Sequence, residues 1–168
     1  MRADELRAIQ APFKERYRQA PSAARMTLKA QGELGSEALT CKVATGKGLV
    51  DAGLHQAAGG DGLSVCAGDM LLEALVACAG VTLRAVATAL EIPVRGGTVT
   101  AEGDLDFRGT LSVSKEAPVG FQAIRLHFNL DTDATPEQVE LLLKLTERYC
   151  VVYQTLRQPP PLSATCGR

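Results

Sequence analysis

The sequence predicts an α+β fold, and three observations carry the prediction. The first is a long apolar stretch, Met70 to Ile92, rich in leucine and alanine, that reads as a central helix. The second is strict two-residue alternation in short segments on both sides of that stretch, the pattern of half-buried strands. The third is a helix start late in the chain, Thr135-Pro136-Glu137-Gln138. There a threonine caps, proline takes the first helical position and glutamine closes a capping box. The order is α, β, central helix, β, α.

Residues 3 to 19 read as an amphipathic helix broken or bent near Pro12, because an interior proline removes a hydrogen bond and clashes with the preceding turn. Residues 1–22 make an N-terminal helical extension, and residues 23–168 the main domain. Ala24 to Gln31 turns Met26, Leu28 and Ala30 inward. Glu37 to Ala44 does the same with Leu39, Cys41 and Val43, and Gly32-Glu33-Leu34-Gly35 joins the two strands. A third strand, Leu49 to Asp51, completes an antiparallel meander. Gly53 to Gly68 is a glycine-rich loop holding Cys66. Asp69 is placed to cap the central helix, which ends near Leu90 ahead of Pro93. Thr98 to Phe107 sets Val99, Ala101, Leu105 and Phe107 against Thr98, Thr100, Glu102, Asp104 and Asp106. Ile124 to Leu130 holds Arg125, His127 and Asn129 opposite its apolar face. The capped helix reaches Cys150, and Pro159 to Pro161 separate it from a last strand, Leu162 to Thr165.

Composition narrows the function classes. A chain of 168 residues fits one domain and buries a substantial core. A net charge of −1 leaves no basic stripe for a phosphate backbone, and 4% aromatic residues leave no stacking platform, so nucleic acid is not an expected partner. The five cysteines, at 41, 66, 78, 150 and 166, form no CxxC pair, and there are two histidines, so neither a metal nor a cofactor is expected. An odd cysteine count and a charged N-terminal stretch without an apolar core point to the reducing cytoplasm. Met70 to Ile92 is long enough to cross a bilayer, yet it carries Glu73 and Arg84, so a buried helix rather than a membrane span is expected. A helix this apolar has more surface than one small subunit covers, which predicts a homodimer built around two central helices.

A lone thiol in an apolar helix is ordinarily core packing. Two of the cysteines, however, stand in frames that say more. Ala67 to Arg84, AGDMLLEALVACAGVTLR, resembles the central helix of the OsmC/Ohr family of thiol peroxidases. Ile92 to Asp106, IPVRGGTVTAEGDLD, is similar to the strand that follows it there, and Glu147 to Leu156, ERYCVVYQTL, resembles the frame of the family's second cysteine. The resemblance implies an OsmC-like fold with an intertwined homodimer. It implies a peroxidatic Cys78, whose thiolate attacks a small organic hydroperoxide and becomes a sulfenic acid, and a resolving Cys150 that closes a disulfide for an external dithiol to reduce.

The helical wheel describes the surroundings of Cys78. At about 100° per residue, Leu71, Ala74, Leu75, Thr82, Ala85 and Ala89 share its face, an apolar wall suited to an alkyl group. Such a wall raises a thiol's pKa by desolvation, so a cation has to come from elsewhere. Peroxidase members of the family carry an arginine in the loop after the first strand. Here that loop has none, which leaves Arg148 or Arg25 as the cation, with Thr82 able to donate one turn away and Asp69 standing where the family has a carboxylate. Cys41 reads as core, Cys66 as a loop cysteine for which a reserve-thiol role is the lesser reading, Cys166 as part of a tail, His127 as a solvated or interface residue, and His55 as a loop histidine with no partner in view. Three functions compete: an organic hydroperoxide reductase, a non-enzymatic binder of an apolar small molecule on the same fold, and a structural or interaction domain. The missing arginine favours the second and the two cysteine frames favour the first.

Overall fold

The structure is a computed structural model of the chain and describes residues 2–19, 32–34, 40–45 and 48–167. Within these it has five α-helices and six strands. By its internal contacts the chain forms two compact units, residues 1–7, 74–100 and 127–168 in one and residues 8–73 and 101–126 in the other.

The second unit carries most of helix α1 (Ala3–Gln19) and a four-stranded sheet in the order β1 (Gly32–Leu34), β2 (Thr40–Thr45), β3 (Gly48–Gly53), β4 (Val65–Cys66). Helix α1 continues through position 12 without the expected break, since one missing N–H leaves the neighbouring bonds of the ladder in place. The expected first strand, Ala24 to Gln31, lies outside the described residues. Gly32 to Leu34, expected as a turn, is instead a strand that pairs with β2, Leu34 opposite Cys41. The pairs β1–β2 and β2–β3 are antiparallel, but β4 runs parallel to β3, Ala52 facing Val65 and Gly53 facing Cys66. An all-antiparallel arrangement is therefore not what forms, because the connection from Gly53 to Val65 is long enough to return the chain in the same direction.

That connection is also more structured than its glycine content suggests. Gln56–Ala58 makes one 3-10 turn, and the His55 side chain caps it, Nδ1 accepting from the Ala57 N–H at 3.0 Å. The same imidazole stacks on Phe107, with ring centroids 5.0 Å apart, so His55 is engaged on both sides. Phe107 itself does not continue a strand. Asp106 accepts from the Arg108 N–H and caps the short helix α3 (Phe107–Thr110).

Helix α2 (Ala67–Ala89) begins two residues before Asp69, which is an exposed acidic residue of its first turn. From Leu75 the helix buries one stripe, Leu75, Ala79, Leu83 and Ala87, each one turn beyond the last. Outside that stripe the chain by itself leaves apolar residues open, Leu71 at 39% and Val81 at 73% exposure, so α2 is buried along one line and not all round. Among the described residues it is the one helix long and apolar enough to cross a membrane. Its end is a left-handed residue, Glu91 at φ 57, after which the Ile92 N–H returns to the Ala87 carbonyl at 2.9 Å.

The chain then makes a two-stranded ribbon from β5 (Gly96–Asp104) and β6 (Ala123–Asp131). Arg95 N–H donates to the Asp131 carbonyl and Gln122 N–H to the Asp104 carbonyl, which makes the pair antiparallel. Alternation along β6 is as expected: Ile124, Leu126, Phe128 and Leu130 are half-buried, while Arg125, His127 and Asn129 are exposed. Gly97, at φ 141, lets the ribbon close, because a Cβ there would lie 2.2 Å from the Asn129 oxygen.

Helix α4 (Pro136–Tyr149) starts at the expected capping box, Thr135 and Gln138 exchanging both hydrogen bonds. Its Leu142 is fully buried and joins Leu83, Ala87 and Ile92 in the core of the first unit, with Phe128 and Leu130 of β6 packed against them. Burying a leucine of this kind stabilises by roughly 1.5–3 kcal/mol. A further short helix, α5 (Val151–Arg157), follows at once, and residues 158–167 form no strand, the expected one at Leu162 to Thr165 included. Pro159 to Pro161 supply no N–H of their own, and neither sheet takes up the segment that follows them.

Candidate active site

Cys78 and Cys150 both belong to the first unit, and the structure brings their side chains together. Cys78 projects from the middle of α2 and is half-buried. Cys150 is fully buried at the corner between α4 and α5. Cys150 serves both helices: its N–H donates to the Thr146 carbonyl at 2.9 Å, ending α4, and its sulfur accepts from the Tyr153 N–H at 3.5 Å, starting α5. Both thiols are free.

The two sulfurs differ in their electrostatics. Burial on its own pushes the Cys78 thiol up. Against it stand the backbone N–H of Val152, the Cys150 thiol, the backbone N–H of Val151 and the Thr82 hydroxyl, all acting as hydrogen-bond donors, and together they bring Cys78 below the ordinary cysteine value. Cys150 moves the other way, raised first by burial and then by the neighbouring Cys78 sulfur. Of the two, Cys78 is therefore the thiol that ionises more readily, and Cys150 the one that holds its proton longer.

The first two residues of α5 can supply these donors because the opening N–H groups of a helix have no carbonyl within it to bond. None of the groups acting most strongly on Cys78 is a cation. Arg148 is exposed, with its guanidinium carbon 5.6 Å from the centroid of the Tyr149 ring, and Arg25 lies outside the described residues. Sequence reasoning missed the backbone donors. No side-chain pattern signals them, since every residue but proline carries a backbone N–H.

Thr82 is one turn along α2 from Cys78, and its hydroxyl donates to the Cys78 carbonyl at 2.7 Å. It carries a single proton, so it serves either that carbonyl or the sulfur at one time. An ionised sulfur is the stronger acceptor of the two.

Of the residues expected to form an apolar wall, Leu75 is fully buried, Leu71 and Ala74 are exposed and Ala85 is half-buried. Three cavities lined by described residues do not include them. One of about 290 Å³ lies between α2 and the start of the ribbon, lined by Gly80, Leu83, Val94 and Val99 with Arg84 and Arg95. A second, of about 280 Å³, has Arg2, Arg84, Thr88 and Glu91. A third, of about 370 Å³ in the other unit, takes in His55, Cys66, Asp69, Leu105, Phe107 and Phe121. Cys66, expected in a loop, is a half-buried residue of β4, and Cys166 is exposed. Cys41 lies on β2, and its side chain is outside the described set. No cluster of metal-ligating side chains occurs among the described residues.

Comparison with known proteins gives a family and a fold. The family model described as OsmC-like protein matches residues 60–165, which include both Cys78 and Cys150. No curated protein sequence matches the chain. An OsmC-like protein from Mycoplasma pneumoniae superposes with a TM-score of 0.67 at 13% identity, covering 80% of this chain and 89% of the other. An organic hydroperoxide resistance protein, OsmC, from Legionella pneumophila gives 0.62 at 18% identity over 80% and 93%. An organic hydroperoxide resistance protein from Elizabethkingia anophelis gives 0.63 at 18% over 81% and 91%. At these identities the structural likeness speaks for the fold.

The opposed shifts of the two thiols lead to a measurable order. Alkylation depends on the thiolate, so site-resolved labelling across pH is expected to show Cys78 reacting with a midpoint below the free-cysteine value of about 8.5 and Cys150 with a midpoint above it. Cys150 reacting at the lower pH would contradict the assignment.

Proposed function

The chain belongs to the family of OsmC-like proteins, and on that premise we propose that it is a thiol peroxidase that reduces small organic hydroperoxides to alcohols. The observation that carries this reading is the pairing of two unequal thiols, a half-buried Cys78 held low by donors and a buried Cys150 held high.

The chemistry runs in three steps. The Cys78 thiolate attacks the distal oxygen of the hydroperoxide, the O–O bond breaks, and the leaving alkoxide takes a proton to become the alcohol. Cys78 is left as a sulfenic acid. Cys150, whose thiol acts on Cys78 as a donor, gives its proton to the leaving group and so becomes the second nucleophile. Its thiolate attacks the sulfenic sulfur and expels hydroxide, which takes from solvent the proton that Cys78 gave up on ionising and leaves as water, and the Cys78–Cys150 disulfide forms. An external dithiol then restores both thiols by exchange. The backbone donors of Val151 and Val152 lower the cost of holding the first thiolate, and the low exposure of Cys150 keeps competing oxidants from it.

The apolar surface that α2 leaves open, Val81 together with Leu71, supports a homodimer in which a second copy covers it. Val151, at 70% exposure beside the thiol pair, and Tyr149, at 58%, extend the same character to the corner. Light scattering of the full chain is expected to give twice the 17.8 kDa mass at micromolar concentration, and a stable folded monomer would contradict the dimer.

Single-turnover kinetics with cumene hydroperoxide test the roles. Cys78→Ser is expected to lose peroxide consumption, while Cys150→Ser consumes about one equivalent and stops as the sulfenic acid. In the wild type, mass spectrometry is expected to find a stoichiometric bridge between residues 78 and 150. Equal consumption by wild type and Cys78→Ser, or no consumption by either, would remove the peroxidase and favour a binding protein that keeps both cysteines as packing.

A further inference from the structure

The donors that act on Cys78 come from the first residues of α5, and a helix of seven residues does not hold its own direction. Something has to fix where it starts. The chain turns at Cys150, whose backbone is extended (φ −73, ψ 110) between two helical segments, and the core contacts of α4 end at Thr146 and Cys150. Beyond that point, side chains reach back across the corner and converge on one residue. Gln154 Nε2 donates to the backbone carbonyl of Glu147 at 2.8 Å. The Tyr153 phenol, half-buried, faces the Glu147 carboxylate, and burial together with that carboxylate raises its pKa. Glu147 lies in the last turn of α4, where carbonyls have no N–H ahead of them within the helix, so the Gln154 amide satisfies a group that the end of α4 leaves open.

We propose that Gln154, assisted by Tyr153, is a positioning residue: by clamping α5 to Glu147 at the end of α4, it holds the backbone donors of Val151 and Val152 on the Cys78 sulfur. The proposal rests on the peroxidase reading only in taking Cys78 as the reacting thiol. Gln154 touches neither sulfur and acts through the placement of the corner. The titratable group that faces Cys78 from the corner is the Cys150 thiol, and from its own helix the facing group is the Thr82 hydroxyl, which does not titrate near neutral pH. Glu147 therefore enters through geometry and not as a charge beside Cys78.

The test is the pH profile of Cys78 alkylation, resolved by mass spectrometry, in full-length wild type, Gln154→Leu, Tyr153→Phe, Glu147→Leu and Glu147→Gln. Circular dichroism and thermal melting of each variant accompany it. Gln154→Leu is expected to raise the Cys78 midpoint by about one unit, slowing its alkylation at lower pH by up to about tenfold. Tyr153→Phe and Glu147→Leu are expected to shift it in the same direction by less. Glu147→Gln keeps the backbone carbonyl and an acceptor for the phenol, so it is expected to stay within a few tenths of a unit of wild type. Folded Gln154→Leu and Tyr153→Phe with the wild-type midpoint would overturn the clamp, and if Gln154→Leu fails to fold, Tyr153→Phe decides. A large downward shift in Glu147→Gln would also overturn it, because removal of charge would then be the effect. Peroxide consumption measured on the same wild-type sample separates the two readings: no consumption with the shifts intact removes the peroxidase and leaves the clamp standing.

Discussion

A thiolate inside a protein exists only as far as hydrogen-bond donors offset the cost of taking it from water. At Cys78 that balance is visible in its parts. Burial pushes the thiol up, and the amides of Val151 and Val152 and the Cys150 thiol pull it down, joined by the Thr82 hydroxyl when its proton turns from the Cys78 carbonyl to the sulfur. Three of these donors come from the corner at Cys150, so the ionisation of a residue on α2 is eased by a distant part of the chain. The rest of the first unit is arranged so that this corner meets that helix.

The packing explains how they meet. Leu83 and Ala87 of α2, Ile92 after it and Leu142 of α4 form one buried cluster, closed by Phe128 and Leu130 of the ribbon. Stripe residues spaced one turn apart leave little freedom for α2 to rotate or slide against α4, because interior packing tolerates few voids. With the two helices fixed, the end of α4 delivers Cys150 to the level of Cys78. Thr146 and Cys150 are both fully buried on the last turn of α4, which keeps that turn on the core to its final residue. In the proposed mechanism the second thiol keeps its proton until the first is oxidised, and the burial that raises the Cys150 pKa favours that order.

Much of this was legible in the sequence, for physical reasons that differ from element to element. The central helix, the capping box at Thr135 and the alternation of β6 follow from local periodicity and cap chemistry, and each stands where the residues place it. The two cysteine frames identified the family, and the thiols that they contain lie together. Long-range facts were not legible. The parallel β3–β4 pair depends on where a connection returns, which glycine content does not encode. Helix α5 is too short for its periodicity to stand out, and reading the prolines after it as a spacer before a strand put an element where the chain pairs with neither sheet. The search for a cation to activate Cys78 followed from counting side chains alone. Backbone amides have no letter in the sequence, and at this site they act on the sulfur beside whatever Arg148 or Arg25 contributes.

The central claim is that uncharged donors from the corner lower the Cys78 pKa, with no guanidinium of the described residues among the groups that act most strongly on it. The most direct measurement is a pH titration of the Cys78 thiolate by its ultraviolet absorbance, made in wild type, Arg148→Met and Arg25→Met. Backbone donors predict a midpoint below about 8.5 in all three, unchanged by either substitution. A rise of about one unit in either variant would show that a guanidinium carries the charge, and would contradict the account.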